Sequence, residues 1–315
     1  MTRALITGVT GQDGRYLAGQ LAASGIEVWG AAPGSDRASL PDGVRPAPPF
    51  DLRDGESVRR AVAAAAPALV FHLAAQSSVS ASVRDPLETA DVTGAGTARV
   101  LEAVRVLAPA ARVFIAGSSE MFGSPGRLPQ REDDPILPVT PYGAAKAYAH
   151  HLARAYRESY GMFVCSGILF SHESPLRGEA FVTGKIVAGA VAIAAGERDE
   201  LALGTLEARR DWSFAGDVTR AMALMLAAPE PGDYVIASGV SHSVADWCER
   251  AFGLVGLDWR QHVRSDPALL RPGEAIEQRG DSSRARERLG WRPEVDFESL
   301  VNLMVEAELA RRATG

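Results

Sequence analysis

The chain has 315 residues, 46% of them hydrophobic, enough for one large domain, or a large and a small one, with a sizeable core. Its formal net charge of -6 argues against nucleic acid or an anionic membrane surface as a general partner. The start, "MTRALITG", shows no apolar leader segment, and apolar runs such as "IVAGAVAIAAG" from Ile186 are too short to span a bilayer, so a cytoplasmic protein is expected.

In chain order, short apolar runs alternate with helical periodicity. "RALITG" reads as a strand, residues 15–24 as a helix with Leu17 and Leu21 on one face and Gly25 as its stop, and "IEVWGA" as a second strand. The Pro- and Gly-rich piece "APGSDRASLPDGVRPAPPF" that follows reads as an exposed loop. Then come a helix over 57–66 and the strand "ALVFHLA", a helix over 88–106 and the strand "ARVFIAG", and a helix over 142–160 and the strand "MFVCSGILF". A parallel crossover needs a helix-length connection, so the rhythm predicts an α/β fold: a doubly wound parallel sheet of Rossmann type covered on both faces. Beyond about residue 170 the alternation gives way to helices separated by irregular segments. A dinucleotide-binding domain over 1–170, with some later segments returning to it, and a smaller C-terminal substrate-binding lobe over 171–315 are therefore expected. The two cysteines, Cys165 and Cys248, make neither a metal cluster nor a disulfide framework, and Cys165, inside an apolar run, is expected as a buried thiol.

In open α/β sheets ligands sit at the carboxyl ends of the strands. At the first such end, "TGVTGQDG" sets Gly8, Gly11 and Gly14 between strand and helix, so the backbone can turn tightly and present amides and a helix N-terminus to a pyrophosphate. Asp51 and Leu52, after a later step of the same alternation, support a dinucleotide site. The second strand ends in Ala31 and Ala32, without an acid to hold an adenosine 2′-hydroxyl, and Ser35 and Arg37 lie close behind, which favours NADP and leaves NAD open.

If the strand geometry of "FIAGSSEMFG" persists to its end, the period of two puts Ser118 and Glu120 on one side, facing the mouth of the sheet. Tyr142 follows just inside a helix whose start is marked by Thr140 and Pro141, and Lys146 lies one turn further along the same face. Only two of the 33 basic residues are lysine, Lys146 and Lys185. A tyrosine that gives and takes a proton near neutral pH needs its pKa, about 10 unperturbed, pulled down by a cation. An ammonium on a slim stem can do this and also reach under a bound ribose, where a planar guanidinium has a different shape.

With these residues in view, the chain resembles the extended short-chain dehydrogenase/reductases that act on nucleotide sugars. Within that group "TGQDG", "LAAQSSV", "TADVTGAGT", "SSEMFG", "PYGAAK", "GILFSHESP", "FVTGK", "RRDW" and "RPGE" closely resemble the GDP-mannose 4,6-dehydratase family, over nearly the full chain. The resemblance implies a tightly held NADP, a hydride that leaves C4 of the hexose and returns at C6, and loss of water between C5 and C6. It casts Tyr142 as the base on the C4 hydroxyl, Lys146 as its partner and ribose ligand, and Ser118 as a hydrogen bond to the same oxygen. Glu120 becomes the carboxylate that takes the C5 proton and returns it to the departing C6 hydroxyl.

The resemblance also extends the cofactor contacts to Thr10, Gln12 and Asp13, to Leu73, Ala74, Ala75 and Ser77, and to His172 and Arg177. It places Val182, Lys185, Arg210, Arg271 and Glu274 around the nucleotide diphosphate, with Ser78 and Ser171 beside the sugar. Three positions depart from the family pattern: Ser78 stands for histidine, and Ser166 and Ser171 for asparagine. The segment after the second strand lacks the family's "RRSS" loop, which favours a homodimer over a tetramer. The expected partner is GDP-mannose or a related nucleotide-diphosphate sugar, with no nucleic acid, no membrane and no metal. The shorter serines leave open a variant sugar such as a heptose, and the same scaffold could serve a C4-epimerase or 4-keto reductase.

Overall fold

The computed structural model describes residues 2–33, 39–124, 126–270 and 275–314. Its first half lays down β1 (Arg3–Thr7), α1 (Gln12–Ala23), β2 (Glu27–Ala31), β3 (Arg45–Pro46), α2 (Gly55–Ala65) and β4 (Leu69–His72). There follow α3 (Val79–Arg84), α4 (Pro86–Thr89), α5 (Gly96–Leu107), β5 (Arg112–Ala116), α6 (Pro141–Tyr160) and β6 (Val164–Leu169). The remaining longer helices are α7 (Val182–Ala194), α8 (Ala215–Ala227), α9 (Val244–Leu254), α10 (Ser283–Leu289) and α11 (Phe297–Thr314). Among the described residues the main sheet has seven strands in the order Asp233–Ile236, β6, β5, β4, β1, β2, β3. Each neighbouring pair is parallel. The chain reverses its direction of winding between β1 and β4, the switch point at which such sheets open a crevice.

Alternation along the strands sorts the core into two layers. Ala4 and Ile6 join Leu17 and Leu21 of α1 and Met222 and Met225 of α8 on one face. Leu5, Val70, Val113 and Val164 join Val58, Leu101 and Ala149, from α2, α5 and α6, on the other. Burial on both faces explains why these strands read as continuous apolar runs. Cys165 is a buried free thiol pushed up to about 11 by that burial. A third cluster, with Trp212, Trp247, Phe252 and Leu300, fills the lobe formed by α7, α9 and α11. No helix among the described residues is long and apolar enough to cross a membrane.

Three features differ from the sequence reading. The segment 88–106 is not one helix: α4 passes into a π-helical stretch, Ala90–Ala95, before α5 begins. There the Thr93 hydroxyl accepts from the Gln76 amide at 3.1 Å and Gly96 lies against Leu52, so side-chain bonding and close packing accommodate the wider turn. The stretch expected as an exposed loop is so only in part: Arg45–Pro46, though exposed, pairs on β2 at the sheet edge, and Ala47 and Phe50 are buried. The strand Asp233–Ile236, not singled out in the sequence, brings a late segment back into the sheet.

Arg157 of α6 clamps that returning strand. Its guanidinium makes two bonds to the Asp233 carboxylate, at 2.7 and 2.8 Å, and a third to the Val164 carbonyl at 2.9 Å. Replacing Arg157 by leucine should strip a largely buried charge of its partner and cost about 3 kcal/mol in urea unfolding; a loss below about 0.5 kcal/mol would show the clamp to be dispensable.

Candidate active site

The site begins where β1 ends. Gly8 adopts φ of +75° and passes so close to β4 that a Cβ there would stand 2.8 Å from the Ala74 nitrogen. At Gly14 a Cβ would come within 2.5 Å of the Gly8 carbonyl oxygen and of Val9 Cα. Glycine at these two positions lets the chain fold back and start α1 directly against β1, at Gln12 rather than further along. Gly11 caps α1 without any side-chain hydrogen bond, so the first-turn amides face the crevice as a phosphate cradle. The residues present thus fit a dinucleotide pyrophosphate.

From this turn a cleft of about 1340 Å³ runs across the carboxyl ends of the strands to the C-terminal lobe. Gly8, Thr10, Gly11, Gln12, Asp13 and Gly14 line it, as do Asp51 and Leu52, and Leu73, Ala74, Ala75 and Ser77 from the far side of the switch point. Ser118, Glu120, Tyr142 and Lys146 line the same cleft, together with His172 and Arg177. Ser78, Ser171, Val182, Lys185 and Arg210 also face it. Arg271 and Glu274 lie outside the described residues, as do Ser35 and Arg37.

Ser118 and Glu120 arrive by a different route from the one their spacing suggested. β5 ends at Ala116, and Ser118 caps a 3-10 turn, Ser119–Phe122, by accepting from the Glu120 amide at 3.2 Å. A tight turn, not strand alternation, therefore presents the carboxylate. The start of α6 is as expected: the Thr140 hydroxyl accepts from the Gly143 amide at 3.0 Å and Pro141 takes the first turn. Tyr142 and Lys146 then stand one turn apart, with Lys146 Nζ 5.8 Å from the phenol ring centroid and donating to the Ala116 carbonyl at 2.8 Å.

The electrostatics correct one expectation. Burial pushes the Tyr142 phenol up to about 12; the Ser118 hydrogen bond opposes this and the Glu120 charge adds to it. The Lys146 ammonium is turned to a backbone carbonyl, and burial lowers Lys146 itself to about 8. Behind them His72 is held between the Thr7 and Thr97 hydroxyls at 2.8 and 3.1 Å. Burial, with the Lys146 charge, takes it down to about 3, so it is a neutral strut.

His172 ties the glycine turn to the end of β6. Its two ring nitrogens meet the Phe170 carbonyl at 2.7 Å and the Asp13 carboxylate at 2.9 Å, while Gln12 bonds the His172 carbonyl and Ser174. Arg177 reaches the same carbonyl and Glu173 and packs over Phe181. Further out, Lys185 donates to the Ala202 carbonyl at 2.7 Å, and Arg210 to the Ala275 carbonyl at 3.0 Å. Ser78 caps α3, and the Ser171 carbonyl accepts from the Ser213 amide. Ser166 is buried within β6 and pairs with His150 at 2.9 Å.

Sequence reasoning missed Gln278, which lines the cleft and donates to Glu120 at 3.2 Å. It missed Ser119, Trp212 and Thr205 as well. Gln278 lies in a two-residue strand without periodicity, so no local signal marks it.

A glycine turn at the switch point of a doubly wound sheet, sharing one cleft with serine, tyrosine and lysine, defines a nicotinamide-dinucleotide enzyme of the extended short-chain dehydrogenase/reductase class. The model of the family described as GDP-mannose 4,6 dehydratase matches residues 5–304, and the chain belongs to that family. It is accordingly a lyase, a nucleotide-sugar 4,6-dehydratase. GDP-mannose 4,6 dehydratase 1 of Arabidopsis thaliana is 45% identical over 98% of this chain and 91% of its own length. The GDP-mannose 4,6-dehydratase of Vibrio cholerae is 39% identical over 97% and 93%. Among solved structures, the Thermus thermophilus UDP-glucose 4-epimerase complex with NAD matches at TM-score 0.86 and 29% identity, covering 98% of this chain and 99% of that one. The Pseudomonas aeruginosa RMD complex with NADPH, at TM-score 0.85 and 23% identity over 99% and 100%, shares the fold.

The Asp13–His172 pair carries a pH signature. Burial opposes charge on both groups, yet each partner overcomes it: Asp13 lies below its ordinary 3.8 and His172 above its ordinary 6.5. The histidine's contribution to stability is fully present below about pH 6.5 and is lost as pH climbs through its raised folded value. The aspartate's is present above 3.8 and lost as pH falls through its depressed value. Replacing His172 by glutamine should cost roughly 2 kcal/mol near pH 6 and flatten the decline of Tm above pH 6.5; an unchanged Tm–pH slope would refute the pairing.

Proposed function

We propose that the chain binds GDP-mannose or a closely related nucleotide sugar together with NADP, oxidises C4, eliminates water across C5 and C6, and delivers the hydride to C6. The observation that carries this reading is the Glu120 carboxylate beside the Ser118, Tyr142 and Lys146 set, near enough for its charge to bear on the phenol. An epimerase or reductase needs no second acid at this place. The names of the Arabidopsis and Vibrio relatives support the substrate.

Each step asks for a residue that lines the cleft. Bound nicotinamide supplies the hydride acceptor at C4 and the donor at C6. Tyr142, held by Ser118, takes the proton of the C4 hydroxyl as the ketone forms. A phenol pushed up to about 12 is protonated at neutral pH, so its basic form depends on positive charge brought beside it. Lys146 one turn along, at about 8 still largely charged, is the side chain suited to that and to the ribose. The ketone acidifies the C5 proton, which Glu120 removes and passes to the C6 hydroxyl as the C6–O bond breaks and water leaves. Reduction at C6 and return to C5 of the proton that Tyr142 took complete a 4-keto-6-deoxy sugar, one water lighter than the substrate, and restore both bases.

In this reading His172 orients the cofactor turn through Asp13, and Arg177 braces His172 from behind. Lys185, Arg210 and Val182, with Arg271 and Glu274, hold the nucleotide diphosphate, charge pairing with phosphate oxygens. Residues 1–170 carry the dinucleotide and 171–315 most of the sugar nucleotide. Exposed Val106 and Leu107 on α5 and Tyr148 and Tyr160 on α6 support a homodimer through those helices.

Incubation with GDP-mannose and NADP should yield a nucleotide sugar lighter by one water in mass spectrometry. A product of unchanged mass would instead indicate C4 epimerisation. Glu120→Gln should bind the dinucleotide within twofold of the unaltered chain and lower turnover by about 10²- to 10⁴-fold. Full dehydration by that variant would remove Glu120 from the mechanism.

A further inference from the structure

We infer that Gln278 is a positioning residue for the elimination step: its amide holds one oxygen of the Glu120 carboxylate so that the other is presented to the C5 proton. The inference rests on Glu120 being the proton acceptor. Gln278 is 3% exposed, in the strand Glu277–Gln278, which pairs with Arg209–Asp211 in the register that sets Gln278 beside Arg210. Gln278 Nε2 donates to Glu120 Oε1 at 3.2 Å, and Ser119 Oγ donates to Gln278 Oε1 at 3.2 Å.

The chemistry of the groups fixes which way the amide faces. An ionised carboxylate only accepts, so the amide must offer its NH₂, and the Ser119 hydroxyl supplies the donor that the amide oxygen then requires. An amide does not titrate, so the same bond persists while Glu120 gains and loses a proton. With Oε1 engaged, the proton in transit belongs on the second oxygen, and the carboxylate is kept from swinging toward the phenol.

The mounting of Gln278 is stiff. Two residues on, the Gly280 amide donates at 3.2 Å to the fully buried Asp211 carboxylate, which also accepts from Ser238 and Gly239. One short ladder from the C-terminal lobe thus carries both Arg210, at the diphosphate end, and the group that aims Glu120. Ser118 works from the other side, since its hydroxyl accepts from the Glu120 amide and bonds the phenol. The base for the C4 hydroxyl and the base for the C5 proton are in this way set by groups from different lobes.

The test uses the holoenzyme with GDP-mannose and Gln278→Met, which keeps length and apolar packing but removes donor and acceptor. KM and dinucleotide affinity should stay within twofold while kcat falls about tenfold. Oxidation at C4 should then outrun loss of the C5 proton, so reduced nicotinamide accumulates during turnover and is read by its near-ultraviolet absorbance. Unchanged kcat, or a fall in kcat without that accumulation, overturns the inference. Ser119→Ala, which frees the amide to rotate, should move the same readouts in the same direction and serves if the methionine variant fails to fold. Glu120→Gln run alongside separates the two claims. If it still dehydrates, the underlying reading fails; if it is inactive while Gln278→Met behaves as the unaltered enzyme, only the positioning role falls.

Discussion

The contact on which the rest of the site depends is the passage of Gly8 past Ala74, with no room for a side chain between β1 and β4. That approach brings the start of α1 down onto the switch point, so the amides of its first turn and the ends of the strands open into one cleft. It also sets the Asp13 carboxylate where the His172 ring can close on it from the end of β6. A larger residue at Gly8 or Gly14 would displace the helix as a whole, and with it every group that the helix aligns.

Burial then decides the chemistry of what the cleft contains. It holds the Tyr142 phenol high and the Lys146 ammonium low, against the direction in which each must move to act as base and cation. It also keeps His72 neutral, so the positive charge behind the phenol is concentrated on the lysine. A site of this kind responds strongly to any charge introduced beside it, because little water competes for the field. Glu120 is part of the same balance: Ser118 holds its backbone amide, and the Gln278 bond to its carboxylate limits how far that group can drift toward the tyrosine.

Much of this architecture was legible in the residues themselves. The strand-helix alternation of the first half, the glycine turn, the Thr140–Pro141 helix start and the i,i+4 pairing of Tyr142 with Lys146 are local patterns, and each stands where its spacing put it. Ser118 and Glu120 line the cleft by a different route from the one expected: their alternation implied a strand, whereas a serine-capped 3-10 turn presents them. The π-helical stretch, the buried part of the segment after β2 and the position of the returning strand Asp233–Ile236 could not be read locally, because each depends on partners distant in the chain.

By itself, then, the order of residues determined the local conformations and the chemical kinds of group available, since periodicity, caps and glycine positions act over a few residues. Tertiary structure alone decided which of those groups share a cleft, that the phenol is raised rather than lowered, and that Gln278 meets Glu120 across 158 positions of chain. Burial and hydrogen-bond geometry are properties of surroundings assembled from remote segments, and no short window of residues contains them.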